Sequence, residues 1–243
     1  MGIALIVIFS VFFIYSFVLM KQGSFRTTTW LVSLIGLVLT LVTITMGDTQ
    51  HWGMKPATIT TIKRIDPAFA IKDMDLNVAI KKDLGTKGEN VVVYKNQGAK
   101  KTTHTQLDSN TKNKFTRVRE HSSQIITTTK EYTYKNTFFK FMYAGLGTNH
   151  EYVSRVNNFQ ITDDWVVLTP SQVKKMQSQM KSQQANSKKK LASVIKQQVT
   201  AAKMKNPKMS ASQQAELVKK IKTAAIAKAS TQAKQKIKAM SVE

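Results

Sequence analysis

The chain has 243 residues, enough for one or two ordinary domains, and its formal net charge is +23. It contains no cysteine, which excludes disulfides, thiolate metal sites, a cysteine nucleophile and a cysteine-linked lipid anchor. The charge is uneven, because residues 170–243 hold 17 lysines against two glutamates, a net charge of +15.

Two apolar segments come first in the chain. "IALIVIFSVFFIYSFVLM" (3–20) carries no charge, and a helix of that length extends about 27 Å, close to the hydrocarbon thickness of a bilayer. "WLVSLIGLVLTLVTITM" (30–46) follows after a short polar loop. A cleaved signal peptide fits poorly, since no Lys or Arg precedes the first segment and no small-x-small site follows it. We therefore predict a transmembrane hairpin in residues 1–54, with helices at about 3–20 and 29–46.

Small residues recur on one face of the second predicted helix. Their spacings are three, four and three residues: Ser33, Gly36, Thr40 and Thr43. Small side chains allow a neighbouring transmembrane helix to approach closely. The pattern predicts packing against the first helix or against a membrane-protein partner, and simple tolerance of small residues is the alternative. Trp30 and Trp52, near the two ends of the segment, are typical interfacial anchors.

The loop between the apolar segments sets the predicted orientation. It is flanked by Lys21 and Arg26, and short basic loops remain in the cytoplasm. This places both termini and the soluble part of the chain outside the cell. The sequence therefore predicts a multi-pass protein of the cell membrane, with the lipid bilayer as its first partner.

Residues 55–169 are rich in β-branched and aromatic residues, which suit a pleated surface. "DLNVAIKK" alternates apolar and polar positions, as a half-buried strand does. The other strand-like runs are "NVVVYK", "QIITTTKEYTY", "TFFKFMY", "EYVSRV" and "FQITDDWVVL". We predict a compact antiparallel β domain of six or seven strands, a sandwich or partial barrel. Four aromatic residues are expected in its core: Phe139, Phe141, Phe159 and Trp165.

Several short motifs resemble a known family. They are the apolar hairpin followed by "GDTQHWGMK", "ENVVVYKN", "YTYKNTFFKFMY" and "NFQITDDWVVLTPSQ". Together, over residues 1–175, they resemble an uncharacterised two-pass membrane-protein family of lactic acid bacteria, known as a domain of unknown function. The resemblance implies a Gram-positive membrane protein with two transmembrane helices, and it supplies no catalytic residues.

Residues 170–243 are predicted to form two long lysine-rich helices. Thr169 and Gln172 match a T-x-x-Q capping box before the first helix, and Ser210 and Gln213 match a second box. We expect an antiparallel pair that turns at Pro207. Partial disorder is the alternative, because Gln, Ser and Lys dominate residues 176–190.

The charge of this tail predicts an anionic polymer or an anionic lipid surface as its partner. The lysines expected to make the contact are Lys174, Lys175, Lys181, Lys188, Lys189, Lys190, Lys219 and Lys220. Deep membrane insertion is not expected, since the tail has no aromatic residue. The lack of both aromatic residues and arginine also disfavours nucleic acid.

The sequence offers no motif for catalysis. The histidines at positions 51, 104, 121 and 150 have no ligand spacing, and "NHEYVS" lacks the second histidine of a zinc-protease helix. Asp163 and Asp164 are adjacent, whereas paired acid–base catalysis needs facing carboxylates. We therefore predict a non-enzymatic protein with no cofactor and no metal.

Together these features predict an α+β membrane protein divided at residues 1–54, 55–169 and 170–243. The expected function is that of a membrane-anchored surface module whose basic tail contacts anionic wall polymers or lipid headgroups. One alternative is an accessory subunit of a membrane transporter or export complex. The other is a cytoplasmic-facing, non-specific nucleic-acid binder.

Overall fold

A computed structural model of the chain describes residues 1–84, 89–119, 122–206 and 209–242, without the side chains of residues 181 and 183–190. The helices are α1 (Gly2–Ile14, continued by a π-helical turn, Tyr15–Leu19), α2 (Ser24–Gln50), α3 (Thr137–Met142), α4 (Pro170–Lys205) and α5 (Ala211–Lys238). The strands are β1 (Met54–Asp66), β2 (Phe69–Ile71), β3 (Leu76–Leu84), β4 (Glu89–Asn96), β5 (Thr103–His104), β6 (Thr111–Arg117), β7 (Gln124–Tyr134), β8 (Glu151–Ile161) and β9 (Trp165–Leu168).

The chain divides into two compact units. Unit 1 comprises Met1–Thr61 and Thr127–Arg155, and unit 2 comprises Ile62–Ile126 and Val156–Glu243. β1, β7 and β8 each contribute residues to both units. The predicted boundaries after residues 54 and 169 stay a prediction.

The N-terminal pair of helices is confirmed, with longer bounds than predicted for the second. α2 begins at Ser24 rather than near residue 29. The threonines in its first turns fit a helix because their hydroxyls donate to carbonyls four residues earlier, Thr28 to Ser24 at 3.0 Å and Thr29 to Phe25 at 2.8 Å. α2 ends at Gln50, and the next residue, His51, caps it in a left-handed backbone conformation with φ of 54°.

The sheet is mixed, so the prediction of a purely antiparallel domain was wrong. Within the described residues its strand order is β2-β3-β4-β1-β7-β8-β6, with β5 beside β4 and β9 beside β3. β2, β4 and β5 make antiparallel pairs, but β9 runs parallel to β3 from Asn77↔Trp165 to Ile80↔Leu168. The apolar run "WVVL" is typical of a parallel strand covered on both faces.

The strand pair β3–β9 separates two apolar clusters of unit 2. Ala79, Trp165 and Val167 face one cluster, which also contains Phe159 and Ile161. The alternate residues of the two strands face the second cluster: Leu76, Val78, Val166 and Leu168. There, Met176 of α4 and Ile237 of α5 cover the sheet. Trp165 and Phe159 are therefore core residues, as predicted.

The C-terminal helices form as predicted and begin at the predicted capping boxes. Thr169 and Gln172 exchange reciprocal hydrogen bonds of 3.3 and 2.7 Å, and Ser210 and Gln213 repeat the pattern at 3.3 and 3.0 Å. Met176, near the start of α4, packs in one cluster with Ile237, near the end of α5. The two helices are therefore antiparallel, and the predicted turn at Pro207 lies outside the described residues.

One segment adopts a different secondary structure from the predicted one. "TFFKFMY", expected as a strand, forms the short helix α3 in unit 1. Asn136 starts this helix by accepting a hydrogen bond from the Phe139 backbone N–H at 3.1 Å. Phe139 is half-buried and Phe141 is exposed, so the prediction that both belong to the core of a β domain was wrong.

Candidate membrane anchor and basic helical surface

The hairpin of α1 and α2 carries apolar side chains on its outside. Buried residues make up 11% of the apolar stretch in Gly2–Leu19 and 17% of that in Ser24–Gln50. A core helix of a soluble protein buries most of its apolar residues, whereas a helix that exposes apolar residues on most of its surface suits a bilayer. Both helices are long and apolar enough to cross a membrane, and no other helix in the described ranges meets these criteria.

The small residues of α2 lie at different depths in the hairpin. Ser33 and Thr40 are buried, and Thr43 is half-buried. A β-carbon at Gly36 would lie 2.6 Å from the ring of Phe9 in α1, closer than real β-carbons approach any atom. The hydroxyls donate to carbonyls four residues earlier, at 2.8 Å for Ser33, 2.7 Å for Thr40 and 2.8 Å for Thr43. These polar groups thus need no water as a partner.

Aromatic rings surround the end of the hairpin near the Lys21–Gly23 loop. Trp30 of α2 packs edge-on against Phe13 and Phe17 of the first helical stretch, with ring centroids 6.3 Å apart in both pairs. The guanidinium of Arg26 lies 5.8 Å from the centroid of the Phe17 ring and donates to the Phe17 carbonyl. Arg26 therefore supplies a donor to a helix end whose carbonyls have no intrahelical partners.

The opposite end of the hairpin is held by α3 and the turn that follows it. The buried hydroxyl of Tyr143 donates to the Trp52 carbonyl at 2.8 Å and lies 3.2 Å from the Thr43 carbonyl. A β-carbon at Gly47 would lie 2.4 Å from the Tyr143 ring. Burial, and secondarily the neighbouring Tyr134, raises the pKa of Tyr143 above its ordinary value. Tyr143 thus connects α2 to the segment that follows β7.

The chain's first residue also contacts this segment. The Met1 amino group donates to the Ala144 carbonyl at 2.8 Å. A β-carbon at Gly2 would lie 2.7 Å from the Met142 carbonyl oxygen. The start of α1 and the end of α2 are therefore both fixed to residues 142–144, within unit 1.

Two histidine–carboxylate pairs lie in the same unit. His51 Nε2 is 3.3 Å from a carboxylate oxygen of Glu151, and its ring stacks on Tyr132 with centroids 4.0 Å apart. His150 pairs with Glu131, a buried carboxylate. Each imidazole thus faces one carboxylate and links neighbouring segments. Among the residues that the structure describes, no three or more His, Cys, Asp or Glu side chains form a group that could hold a metal ion.

The predicted polyanion-binding lysines fall into two groups. Lys174 and Lys175 are exposed in the first turns of α4, and Lys219 and Lys220 are exposed in α5. Lys220 forms an ion pair with Glu216 at 2.9 Å. The side chains of the remaining four lie outside the described residues: Lys181, Lys188, Lys189 and Lys190. The four described lysines are exposed, whereas their apolar neighbours are buried (Met176, Ile221) or half-buried (Val173).

Unit 2 also contains a polar cleft of about 210 Å³, with Asp66 and Asp164 in its lining. Asp164 accepts hydrogen bonds from the Asn77 amide group and the Thr162 hydroxyl, and Asp66 accepts one from the Gly98 N–H at 2.8 Å. Asp163 is exposed. These hydrogen bonds tie Asp164 to the turn at Thr162 and to β3, and Asp66 to the turn at Gly98.

Comparison with known families adds one match. The domain of unknown function DUF4811 matches residues 21–176, about two-thirds of the chain. The chain belongs to this family. No curated protein and no solved structure matches the chain.

The DUF4811 domain begins just before α2 and ends in the first turns of α4. It includes α3 and all nine described strands, whereas α1, most of α4 and all of α5 lie outside it. Lys174 and Lys175 fall inside the DUF4811 match, and Lys219 and Lys220 fall beyond it.

Two features of the DUF4811 domain were not predicted from the sequence. They are the helix α3, which was expected as a strand, and the contacts of Tyr143 with α2 and Trp52. The available signal was Asn136, a good N-cap residue, directly before the aromatic run. β-propensity outweighed it, because Phe and Tyr are common in strands. Nothing in the local sequence identifies the partners of Tyr143, which lie 91 and 100 residues away.

Proposed function

We propose that this protein is a non-enzymatic, two-pass membrane module whose basic helical pair contacts anionic polymers or anionic lipid headgroups outside the cell. The exposed apolar surface of α1 and α2 is the observation that carries the anchoring part of this proposal. Such a surface would associate in water, whereas a bilayer covers it without further contacts.

The binding part of the proposal rests on the division of faces in α4 and α5. Apolar side chains at the start of α4 and the end of α5, such as Met176 and Ile237, pack on the sheet of unit 2, and the described lysines at positions 174, 175, 219 and 220 are exposed. The tail's net charge of +15 has few acidic residues to neutralise it. Near an anionic membrane surface each lysine contributes about 1 kcal/mol. Several exposed lysines on a folded scaffold therefore suit an anionic surface without requiring a shaped pocket.

The orientation follows from the loop between the helices. Lys21 and Arg26 favour a cytoplasmic position for this loop. The Met1 amine and Trp52 both meet residues 143–144, at the other end of the hairpin. With two spans, both termini and the soluble part lie outside. The resemblance to a two-pass family of lactic acid bacteria supports a Gram-positive cell envelope, where anionic wall polymers would be the nearest ligands.

The proposal is tested with poly(glycerol phosphate) as the anionic probe. The full chain in neutral detergent micelles is mixed with the fluorescent polymer, and binding is followed by anisotropy at increasing salt. We expect binding to weaken steeply with salt, because charges are screened over about 8 Å at physiological ionic strength. Replacing Lys174, Lys175, Lys219 and Lys220 with Gln should weaken binding several-fold and flatten the salt dependence.

A matched variant separates a specific surface from net charge. It replaces four exposed lysines of the sheet region with Gln and so removes the same charge: Lys100, Lys101, Lys112 and Lys114. We expect this variant to bind nearly as the parent chain does. Equal weakening by both variants, or binding that ignores salt, would overturn the assignment of the tail as the contact surface. Anionic vesicles in place of the polymer distinguish lipid headgroups from wall polymers.

The other two functions have less support. An accessory subunit was expected to use the small-residue face of α2, but at Gly36 that face lies against Phe9 of the first helix. A nucleic-acid binder would gain from arginine and aromatic side chains, and the tail has neither. Binding of single-stranded DNA more tightly than of poly(glycerol phosphate) would favour the nucleic-acid function.

A further inference from the structure

The short helix α3 has two apolar faces, and only one of them is packed. Phe139 and Met142 lie on the packed face of α3, and Tyr143 directly follows the helix. Phe139 meets the Trp52 ring edge-on at 5.2 Å, and Met142 and Tyr143 are buried. Phe138 and Phe141 are spaced by three residues and share the outer face, where they are 59% and 54% exposed. Two neighbouring, half-exposed phenylalanines on so short a helix need a partner or a suitable medium.

The position of α3 along the hairpin suggests which medium that is. The Tyr143 hydroxyl reaches the Thr43 carbonyl, and the preceding residue of α2, Val42, is exposed. On α1, the Met142 carbonyl lies against Gly2, and the next residue, Ile3, is exposed. The turn after α3 is therefore level with the end of the exposed apolar surface on both helices.

The residue types around α3 are those found where a membrane's acyl chains meet its headgroups. Trp52, 46% exposed, packs against Phe139 of α3. Lys135 and Lys140, both exposed, flank the two outer phenylalanines. Aromatic rings prefer the boundary between acyl chains and headgroups, and lysines beside them extend toward lipid phosphates. The exposed surface of α3 thus combines aromatic and cationic side chains, the two residue types that suit a membrane interface.

We propose that α3 is a third membrane contact, in which Phe138 and Phe141 enter the headgroup–acyl boundary of the leaflet nearest to Met1 and Trp52. This inference rests on the proposed span of α1 and α2, and it adds a lipid-facing site that neither helix contains. Because Tyr143 and Met142 fix α3 to both helices, the contact anchors the segment between β7 and β8 at the membrane surface.

The test uses single cysteines, since the chain has none of its own. Spin labels are attached at Phe138→Cys, Phe141→Cys, Lys140→Cys and Val38→Cys in the full chain. The protein is reconstituted in vesicles of equal parts phosphatidylglycerol and phosphatidylcholine. Oxygen, which concentrates in lipid, and a water-soluble nickel chelate then report the depth of each label. Phe138 and Phe141 are exposed, so their replacement leaves the packed face of α3 intact.

We expect the ratio of oxygen to nickel accessibility to be several-fold higher at positions 138 and 141 than at position 140, and highest at position 38. Water-accessible labels at 138 and 141 with a lipid-buried label at 38 would overturn the interfacial role of α3 while leaving the two spans standing. A water-accessible label at position 38 would instead overturn the spans, and the inference with them.

Discussion

At the scale of single residues, the Tyr143 side chain joins α2 and Trp52 to the segment that follows α3 in unit 1. Its raised pKa favours the neutral phenol in the folded state, as burial does for any such group. The stability that it contributes is therefore fully present below the unfolded pKa of about 10 and is lost as pH rises through the folded pKa. Deprotonation also removes the donor to the Trp52 carbonyl.

We predict that Tyr143→Phe lowers the free energy of unfolding by about 1 kcal/mol at neutral pH, through the lost hydrogen bond. The difference from the parent chain should shrink above about pH 10. Thermal unfolding in detergent between neutral and strongly alkaline pH measures this. All other side chains are the same in both proteins, so only the difference between the two is diagnostic. A difference that stays constant with pH would show that the hydroxyl does not stabilise unit 1 as a neutral donor.

Gly47 gives a second residue-scale prediction, because a β-carbon there would overlap the Tyr143 ring at 2.4 Å. Gly47→Ala should destabilise the chain by about 1–3 kcal/mol through overpacking. In a Tyr143→Leu background the ring is absent, and the same substitution should stabilise α2 by up to about 1 kcal/mol, since alanine favours helix over glycine. Unfolding midpoints of the four proteins measure the coupling. The same sign in both backgrounds would mean that the close approach at Gly47 is unimportant.

At the scale of elements, the sequence was sufficient where local chemistry decides the structure. The capping boxes at Thr169 and Ser210 and the apolar hairpin were predicted because each depends on residues within a few positions. The helix α3 and the parallel pairing of β9 with β3 were not, because both depend on distant partners. The four apolar residues Trp165–Leu168 suit a buried parallel strand only once β3 and the C-terminal helices are beside them.

We expect the two capping boxes to contribute differently to the free energy of unfolding. Replacing an N-cap Ser or Thr with Ala costs about 1 kcal/mol. Thr169→Ala should cost more than Ser210→Ala, because Gln172 of the first box also donates to the Met240 carbonyl at 2.9 Å and so joins α4 to the end of α5. Thr169→Ser, which keeps the acceptor, is the control. Denaturant unfolding followed by circular dichroism measures the costs, and a larger loss for Ser210→Ala would contradict this ranking.

At the scale of the whole molecule, charge and hydropathy were the properties that the sequence specified best. The two long apolar runs lie in the first 50 positions, and 17 lysines lie in the last 74. The site within unit 1 was not predictable in the same way, since Met1, Trp52 and Tyr143 are brought together from separate segments. Composition thus predicts which parts are apolar and which are basic, whereas the contacts that join the hairpin to residues 142–144 need the fold.

The orientation of the whole chain is tested by single cysteines on the two sides of the hairpin. Ser24→Cys lies at the start of α2 and Ser212→Cys near the start of α5, and both positions are exposed. With a membrane-impermeant maleimide on intact cells, we expect labelling at 212 but not at 24, because Lys21 and Arg26 favour a cytoplasmic position for the loop between the two helices. Permeabilised cells, in which both should react, and the cysteine-free parent, in which neither can, are the controls. The reverse pattern would place the lysines beside the inner leaflet and exclude wall polymers as ligands, and labelling at both positions would contradict a two-pass hairpin.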